Sequence, residues 1–411
     1  MPIRHLKEYI SYIKLFSPNA RLYLAGTFFM GFSNQILWML YNLYLKQLGF
    51  AEGTMGEILF FEGLGTVLAA IPAAIAIDYI RLKNVMVIAN LINTLSYVFL
   101  TFVIEIKVLY LIAVITGAGW TVHFIAASPF FMRNSTTTER THLFSFNYAL
   151  DMMSGLVGAL IGGYIPILLF QKGVPLIIGY RVSLIFGAIM TLSAVIFYIR
   201  IKTPRPIKAG KIDWRNYIRS KNWKVTFRLC LPQFFMGMGA GLVIPFLNIY
   251  FVNRFTLDSS FIGKIYSVGQ LFMVIGFLAG PIFGKKIGLV RTVSFSQLAS
   301  IPFFLILAFG YYLPPVIIAF WFRGSLMNMA WPLYNNFAME KVEPNQHATT
   351  NSFLSLAWNS SWMISTLIGG RLIEYYGFKL VMLITIYLYV SVSIMILSFF
   401  KKDTKIGISK K

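Results

Sequence analysis

The sequence predicts an all-α integral membrane fold, with twelve transmembrane helices arranged as two six-helix repeats. Three observations carry this prediction. Of 411 residues, 57% are apolar and only 12% are charged, with a mean hydropathy of +0.71, which is too little charge to cover a soluble globule. Apolar stretches long enough to cross a bilayer, at roughly 20 residues each, recur along the whole chain. Basic residues gather in alternate connecting segments.

The chain opens with Arg4, Lys7, Lys14 and Arg21 interleaved with Leu6, Ile10 and Ile13. That pattern suits an interfacial amphipathic helix over 1 to 21 rather than a secretory signal. Apolar segments follow at 22 to 45, 54 to 77, 84 to 104, 108 to 131, 143 to 170 and 176 to 199. A second set runs over 226 to 252, 260 to 283, 292 to 312, 315 to 338, 350 to 373 and 380 to 400. The domains expected are an N-terminal bundle over 1–200, a basic linker over 201–225, a C-terminal bundle over 226–400 and a basic tail over 401–411.

Charge sets the expected orientation. The 36 Lys and Arg against 14 Asp and Glu give a net charge of +22, which in a soluble chain would point to nucleic acid. Counted by segment with the N-terminus inside, 27 basic residues fall on the cytoplasmic side and eight on the outer side, with Arg323 inside a span. The positive-inside rule then places both termini in the cytoplasm of a multi-pass plasma-membrane protein and makes a nucleic-acid partner unnecessary. Ten of the basic residues lie between Arg200 and Arg228, beside Trp214, Tyr217, Ile218 and Trp223, as expected of a connector on the membrane surface. Cys230 is the only cysteine, so no internal disulfide or cysteine metal site is available. The four histidines, His5, His123, His142 and His347, have no metal-ligand spacing, and no phosphate-binding Gly-x-x-x-x-Gly-Lys-Ser/Thr loop occurs. No enzyme, metal or cofactor is therefore expected.

The two halves repeat one another. YNLYLKQLGFAEGTMGEI and FLNIYFVNRFTLDSSFIGKI share Asn42 and Tyr44 with Asn248 and Tyr250, then Gly56 with Gly263. LIGG occurs at 160–163 and again at 367–370, and Pro129 and Pro332 sit near matching helix ends. A six-helix unit duplicated in one orientation is an architecture on which alternating access can be built, and one chain holding both copies needs no partner and is expected to be a monomer.

On these features the chain resembles the major facilitator superfamily over nearly its whole length. The family's Gly-x-x-x-Asp-Arg-x-Gly-Arg-Lys loop falls on AIAIDYIRLK, where Asp78 keeps the acid and Lys83 the last base; Ala74, Tyr79, Arg81 and Leu82 depart from it. PIFGKKIGLV retains Gly288 but has Lys285 at the acidic position. The resemblance implies a cytoplasmic gate in which Asp78 accepts from a helix N-terminus and from Arg133 or Arg140, with Arg81 and Lys83 in the same loop. SGLVGALIGG resembles the glycine pattern of proton-coupled antiporters at Gly158, Gly162 and Gly163, with Ser154 and Ala159 replacing a glycine and the proline.

Ionisable side chains at membrane depth are costly and mark function. Those expected inside spans are Glu62, His123, Asp151 and Arg323, while Glu57 is expected near enough to the outer surface to be solvated. The expected arrangement pairs Glu62 with Arg323 on the outer side and His123 with Asp151 on the inner side. Cavity candidates on the first, fourth, seventh and tenth segments, which line the cavity in the family, are Asn34, Gln35, Trp38, Trp120, Gln233, Asn248, Asn328 and Trp331. Amides with aromatic faces suit sugars as well as amphiphilic drugs. Proton-coupled efflux of small amphiphilic compounds is the preferred reading, and coupled or facilitated uptake of a sugar or other organic solute is the alternative. The partners expected are a small-molecule substrate, protons and the lipid bilayer.

Overall fold

The computed structural model describes residues 16–203, 223–343 and 346–400. Residues 1–15, most of the basic linker and the 401–411 tail lie outside them. The described residues are helical and carry no strand. The first six helices are α1 Pro18–Gln47, α2 Glu52–Tyr79, α3 Leu82–Phe102, α4 Ile106–Arg133, α5 Thr137–Gln171 and α6 Leu176–Arg200. The seventh crossing is broken into α7 Trp223–Val243, a 3-10 turn Ile244–Phe246 and α8 Leu247–Phe255. After it come α9 Ser259–Ile287, α10 Leu289–Phe309, α11 Leu313–Glu340, α12 His347–Tyr376 and α13 Phe378–Phe399.

The twelve sequence segments are therefore all helical, with two adjustments. Helix α5 begins six residues before the apolar run, at Thr137, because the Glu139 side chain accepts from the Thr136 N–H at 3.2 Å and caps a polar first turn. The seventh crossing breaks at Pro245, which has no N–H to continue the ladder; beyond the break Asn248 Oδ1 accepts from the Ile249 N–H at 2.9 Å. Nine of the described helical stretches are long and apolar enough to cross a membrane. Helices α1, α11 and α12 fall short of that hydropathy, and they carry Asn34, Gln35, Arg323 and Asn328.

By contact, the chain divides into two compact units. The first takes its described residues from 1–48, 64–210 and 258–267; the second takes them from 49–63, 211–257 and 268–411. In the first unit α1 packs on α5 and α6, and α3 packs on α4 and α6. In the second, α7 packs on α12 and α13, and α10 packs on α11 and α13. Lipid supplies no hydrophobic drive between helices, so close approach through small residues holds them together. Ser33 and Thr191 bond at 2.7 Å, Ser183 Oγ donates to the Gly162 carbonyl at 2.8 Å, and Thr385 Oγ1 donates to Gly239 at 2.9 Å. Large apolar side chains such as Leu68, Ile71 and Leu278 are exposed, as expected of helices that lipid can solvate.

The repeat motifs mark equivalent contacts. Tyr44 donates to the Thr101 carbonyl at 2.6 Å and Tyr250 to the Leu307 carbonyl at 2.7 Å, each bond reaching 57 residues along the chain. The turn after each tyrosine is left-handed, at Gly49 with φ 88° and at Thr256 with φ 52°, the second at some cost in strain for a β-branched residue. Gly288, kept from the loop motif, has φ 87°, a conformation that favours glycine. Replacing Tyr44 or Tyr250 by Phe should cost about 1 kcal/mol each, because a buried carbonyl loses its donor. Thermal unfolding in detergent should show both variants melting earlier, with the double variant close to additive.

Candidate transport site

Small residues at two helix crossings bring backbones into contact. In the first unit Gly163 on α5 meets Gly263 on α9: a Cβ on Gly163 would fall 2.4 Å from the Ser259 carbonyl oxygen, and one on Gly263 would fall 2.5 Å from that of Ala159. Ser259 Oγ donates to Gly163 O and Ser267 Oγ to Leu156 O, both at 2.8 Å. In the second unit Gly370 on α12 meets Gly56 on α2, with the corresponding distances 2.4 Å to Glu52 O and 2.5 Å to Thr366 O. The four glycines are those that the repeated motifs share, so the sequence repeat is also a repeat of crossings.

The second-unit crossing is additionally ionic. Arg371 and Glu57 form a salt bridge at 2.9 Å, Glu374 Oε2 accepts from the Gly53 N–H at 3.0 Å, and Asn253 donates to Glu52 Oε1 at 3.0 Å. Sequence reading set Glu57 aside as solvated; its partner lies 314 residues away, and no local pattern reveals it. With Arg371 60% and Glu57 27% exposed, this pair is of the surface kind, worth roughly 0–1 kcal/mol. Glu57→Gln should therefore lower the melting temperature only slightly, and the loss should shrink further in high salt.

The membrane-depth ionisable groups are distributed over both units. On α4, His123 is buried with Nδ1 2.9 Å from Asn90 Nδ2 of α3. Its ring lies among Tyr23, Trp120 and Tyr198, with centroids at 6.1, 6.4 and 5.5 Å. Asp151 on α5 is half-buried, and its carboxylate lies against Gly31 of α1, where a Cβ would come within 2.6 Å of Oδ1. Ser154 Oγ donates to the Asp151 carbonyl at 2.8 Å. The expected His123–Asp151 ion pair is not formed among the described residues, because α3 supplies the imidazole with an amide partner. Next to Asp151 on the same helix, Asn147 accepts from Thr27 at 2.8 Å.

In the second unit Arg323 is buried on α11 with its guanidinium 5.1 Å above the Phe304 ring. Glu62 is half-buried on α2 in the part of that helix assigned to the same unit. Trp331 is partly exposed and packs edge-on against Trp358 at 5.0 Å, which stacks on Trp362 at 5.9 Å. Asn328 donates to the Gly324 carbonyl at 2.9 Å within its own helix. Gln233 and Asn248 are buried, as is Gln35 in the first unit, whereas Asn34 and Trp120 are half-buried and Trp38 is exposed. The crossing of Gly31 over Asp151 and Ser154 recurs as Gly237 over the Trp358 backbone carbonyl and Ser361, so Trp358 holds the chain position in the second unit that Asp151 holds in the first.

Of the gate residues, Asp78 lies on α2 with its side chain outside the described residues. Lys83 Nζ donates to the Ile199 carbonyl at 3.1 Å, and Arg140 reaches Ser135 O at 3.2 Å and Met132 O at 3.4 Å, tying down the chain after α4. Arg81 and Arg133 are exposed. A network that sequence reading missed holds the same end: Asn19 donates to Asn134 Oδ1 and to Lys202 O, Lys202 N–H returns to Asn19 Oδ1, and Ser17 donates to Asn134 O.

A polytopic helical chain with a duplicated set of glycine crossings and charged groups at membrane depth defines a class, the duplicated membrane carriers. The sequence model of the Major Facilitator Superfamily matches residues 23–231 and again 229–410, and the chain belongs to that superfamily of transporters. A Na(+), Li(+), K(+)/H(+) antiporter of Planococcus maritimus is 24% identical over 194 residues, which is 46% of this chain. The match spans only 45% of that relative's length. Among solved structures, a mutant of the nucleoside transporter NupG superposes with a TM-score of 0.77 at 16% identity, over 93% of this chain and all of that one. A bacterial homologue of the human lysosomal transporter Spinster, inward-facing and unoccupied, gives 0.76 at 15% identity, over 94% and 98%. At these identities the two structures share the fold.

Proposed function

We propose that this transporter is a proton-coupled antiporter of the plasma membrane that exports small amphiphilic compounds by alternating access, with both termini in the cytoplasm. The observation that carries the coupling is Asp151, a carboxylate held against Gly31 at a helix crossing with no hydrogen bond to its side chain among the described residues. An acid placed there can gain and lose a proton as its surroundings change, without breaking a fixed ion pair. Glu62, His123 and Arg323 are the other coupling residues in this reading. Asn34, Gln35, Trp38, Trp120, Gln233, Asn248, Asn328 and Trp331 contact substrate, with the Trp331–Trp358 edge contact providing an aromatic wall. Asp78, Arg81, Lys83, Arg133 and Arg140 form the cytoplasmic gate. The chain works as a monomer of two six-helix bundles, 1–200 and 226–400, joined by the basic linker. The distribution of basic residues supports the orientation.

A second reading, exchange of monovalent cations for protons, is favoured by the name of the Planococcus relative. The two readings separate in proteoliposomes preloaded with a fluorescent lipophilic cation. Export predicts that an imposed proton gradient accelerates its release and that a protonophore abolishes the acceleration. Release at the same rate with and without the gradient, alongside gradient-driven movement of Na⁺ or K⁺, would favour the second reading instead.

A further inference from the structure

The hydrogen bonds around Asn90 fix which of its amide atoms faces His123. One amide atom lies 2.7 Å from the Met86 carbonyl oxygen of its own helix, so it must be the nitrogen, since two oxygens at that distance repel. The same nitrogen lies 2.9 Å from His123 Nδ1. Nδ2 carries two hydrogens: one goes to Met86 and the other to the ring, so Nδ1 is an acceptor. Asn90 Oδ1 has no partner among the described residues, and both side chains are buried. A neutral imidazole that accepts at Nδ1 carries its proton at Nε2.

We propose that Asn90 is the positioning residue of His123: it holds the ring in the Nε2–H tautomer and makes Nδ1 protonation conditional on turning the Asn90 amide. Turning the amide would let Oδ1 accept from an Nδ1–H, but it would set Oδ1 against the Met86 carbonyl and break the bond that anchors the side chain to α3. Proton uptake by His123 is thereby tied to the α3–α4 contact. Among the described residues, the ionisable side chains whose rings face the imidazole from other helices are Tyr23 on α1 and Tyr198 on α6, and Asp151 lies on α5 of the same unit. Trp120 flanks it on α4 itself. The tautomer assignment stands on geometry alone; its consequence for transport rests on the proton-coupled reading above.

The test is ¹⁵N NMR of the full chain, labelled at histidine and reconstituted in lipid nanodiscs, with His123→Gln identifying the His123 signals. At neutral pH, Nε2 should be protonated and Nδ1 unprotonated. Asn90→Leu should leave the ring exchanging between tautomers, and Asn90→Asp should move a proton to Nδ1, while thermal unfolding verifies that both variants fold. A proton on Nδ1 in the unmodified protein, or identical His123 spectra in all three proteins, would overturn the proposal. Should Asn90→Leu fail to fold, Asn90→Asp decides alone. Proton-coupled transport is measured on the same samples. Expected spectra without substrate-linked proton movement would uphold the tautomer assignment and remove the coupling reading.

Discussion

Replacing Asp151 by Asn should abolish substrate-linked proton movement while leaving the bundle folded. The amide has nearly the shape of the carboxylate, so the contact with Gly31 survives, but the position can no longer exchange a proton. In proteoliposomes the coupled proton flux should fall about tenfold or more, the scale on which loss of a coupling group of about 1.4 kcal/mol or greater is read. Substrate moving down its own gradient should persist. Glu62→Gln, made alongside, separates a single essential acid from a shared path. If both variants keep the full coupled flux, the ionisable groups at these depths are structural, and coupling lies elsewhere.

The second large effect is expected at the glycine crossings. Leucine at Gly163 or Gly370 should abolish transport and destabilise the chain. Each glycine faces backbone, the carbonyl oxygens of Ser259 and of Glu52 at 2.4 Å from where a Cβ would stand. No rotamer change by a neighbour relieves a clash with backbone, so the helices must separate. Overpacking of this kind costs about 1–3 kcal/mol or more, and it also strips Gly163 of the bond from Ser259. Alanine at the same sites should give intermediate loss, with activity following the order Gly, Ala, Leu. Transport retained in Gly370→Leu would show that the close approach is dispensable. For comparison, leucine at Gly324, whose nearest foreign atom is a Met273 side-chain carbon at 3.9 Å, should be tolerated much better.

Much of this was legible in the sequence, because membrane folds write their spans as apolar length and their crossings as small residues. The Asn-x-Tyr and LIGG repeats pointed to residues whose contacts prove equivalent in the two units, including Tyr44 and Tyr250 with bonds of the same reach. What stayed hidden were partners set by tertiary contact. Glu57 reads as a surface acid until Arg371 arrives from the other end of the chain. Asn90 lies on α3, outside the segments expected to line a cavity, and its partner His123 comes from the next helix. The signal was present: Asn90 and Asn93 are the only amides in the interior of α3, one turn apart and both buried. The break at Pro245 was likewise readable, since proline inside an apolar run marks a kink, yet Pro232, Pro281 and Pro332 sit within helices that continue unbroken in the secondary structure. Composition alone could not say which proline would interrupt the ladder.

The measurement that tests the central claim most directly uses the purified chain in liposomes loaded with a pH-sensitive dye. A proton gradient is imposed, and lipophilic cations, monovalent metal cations, sugars and organic anions are added in turn. The account predicts that protons move opposite to an added amphiphile, and that Asp151→Asn silences the response. Protons entering together with a sugar, or a silent dye while labelled substrate still equilibrates, would contradict it.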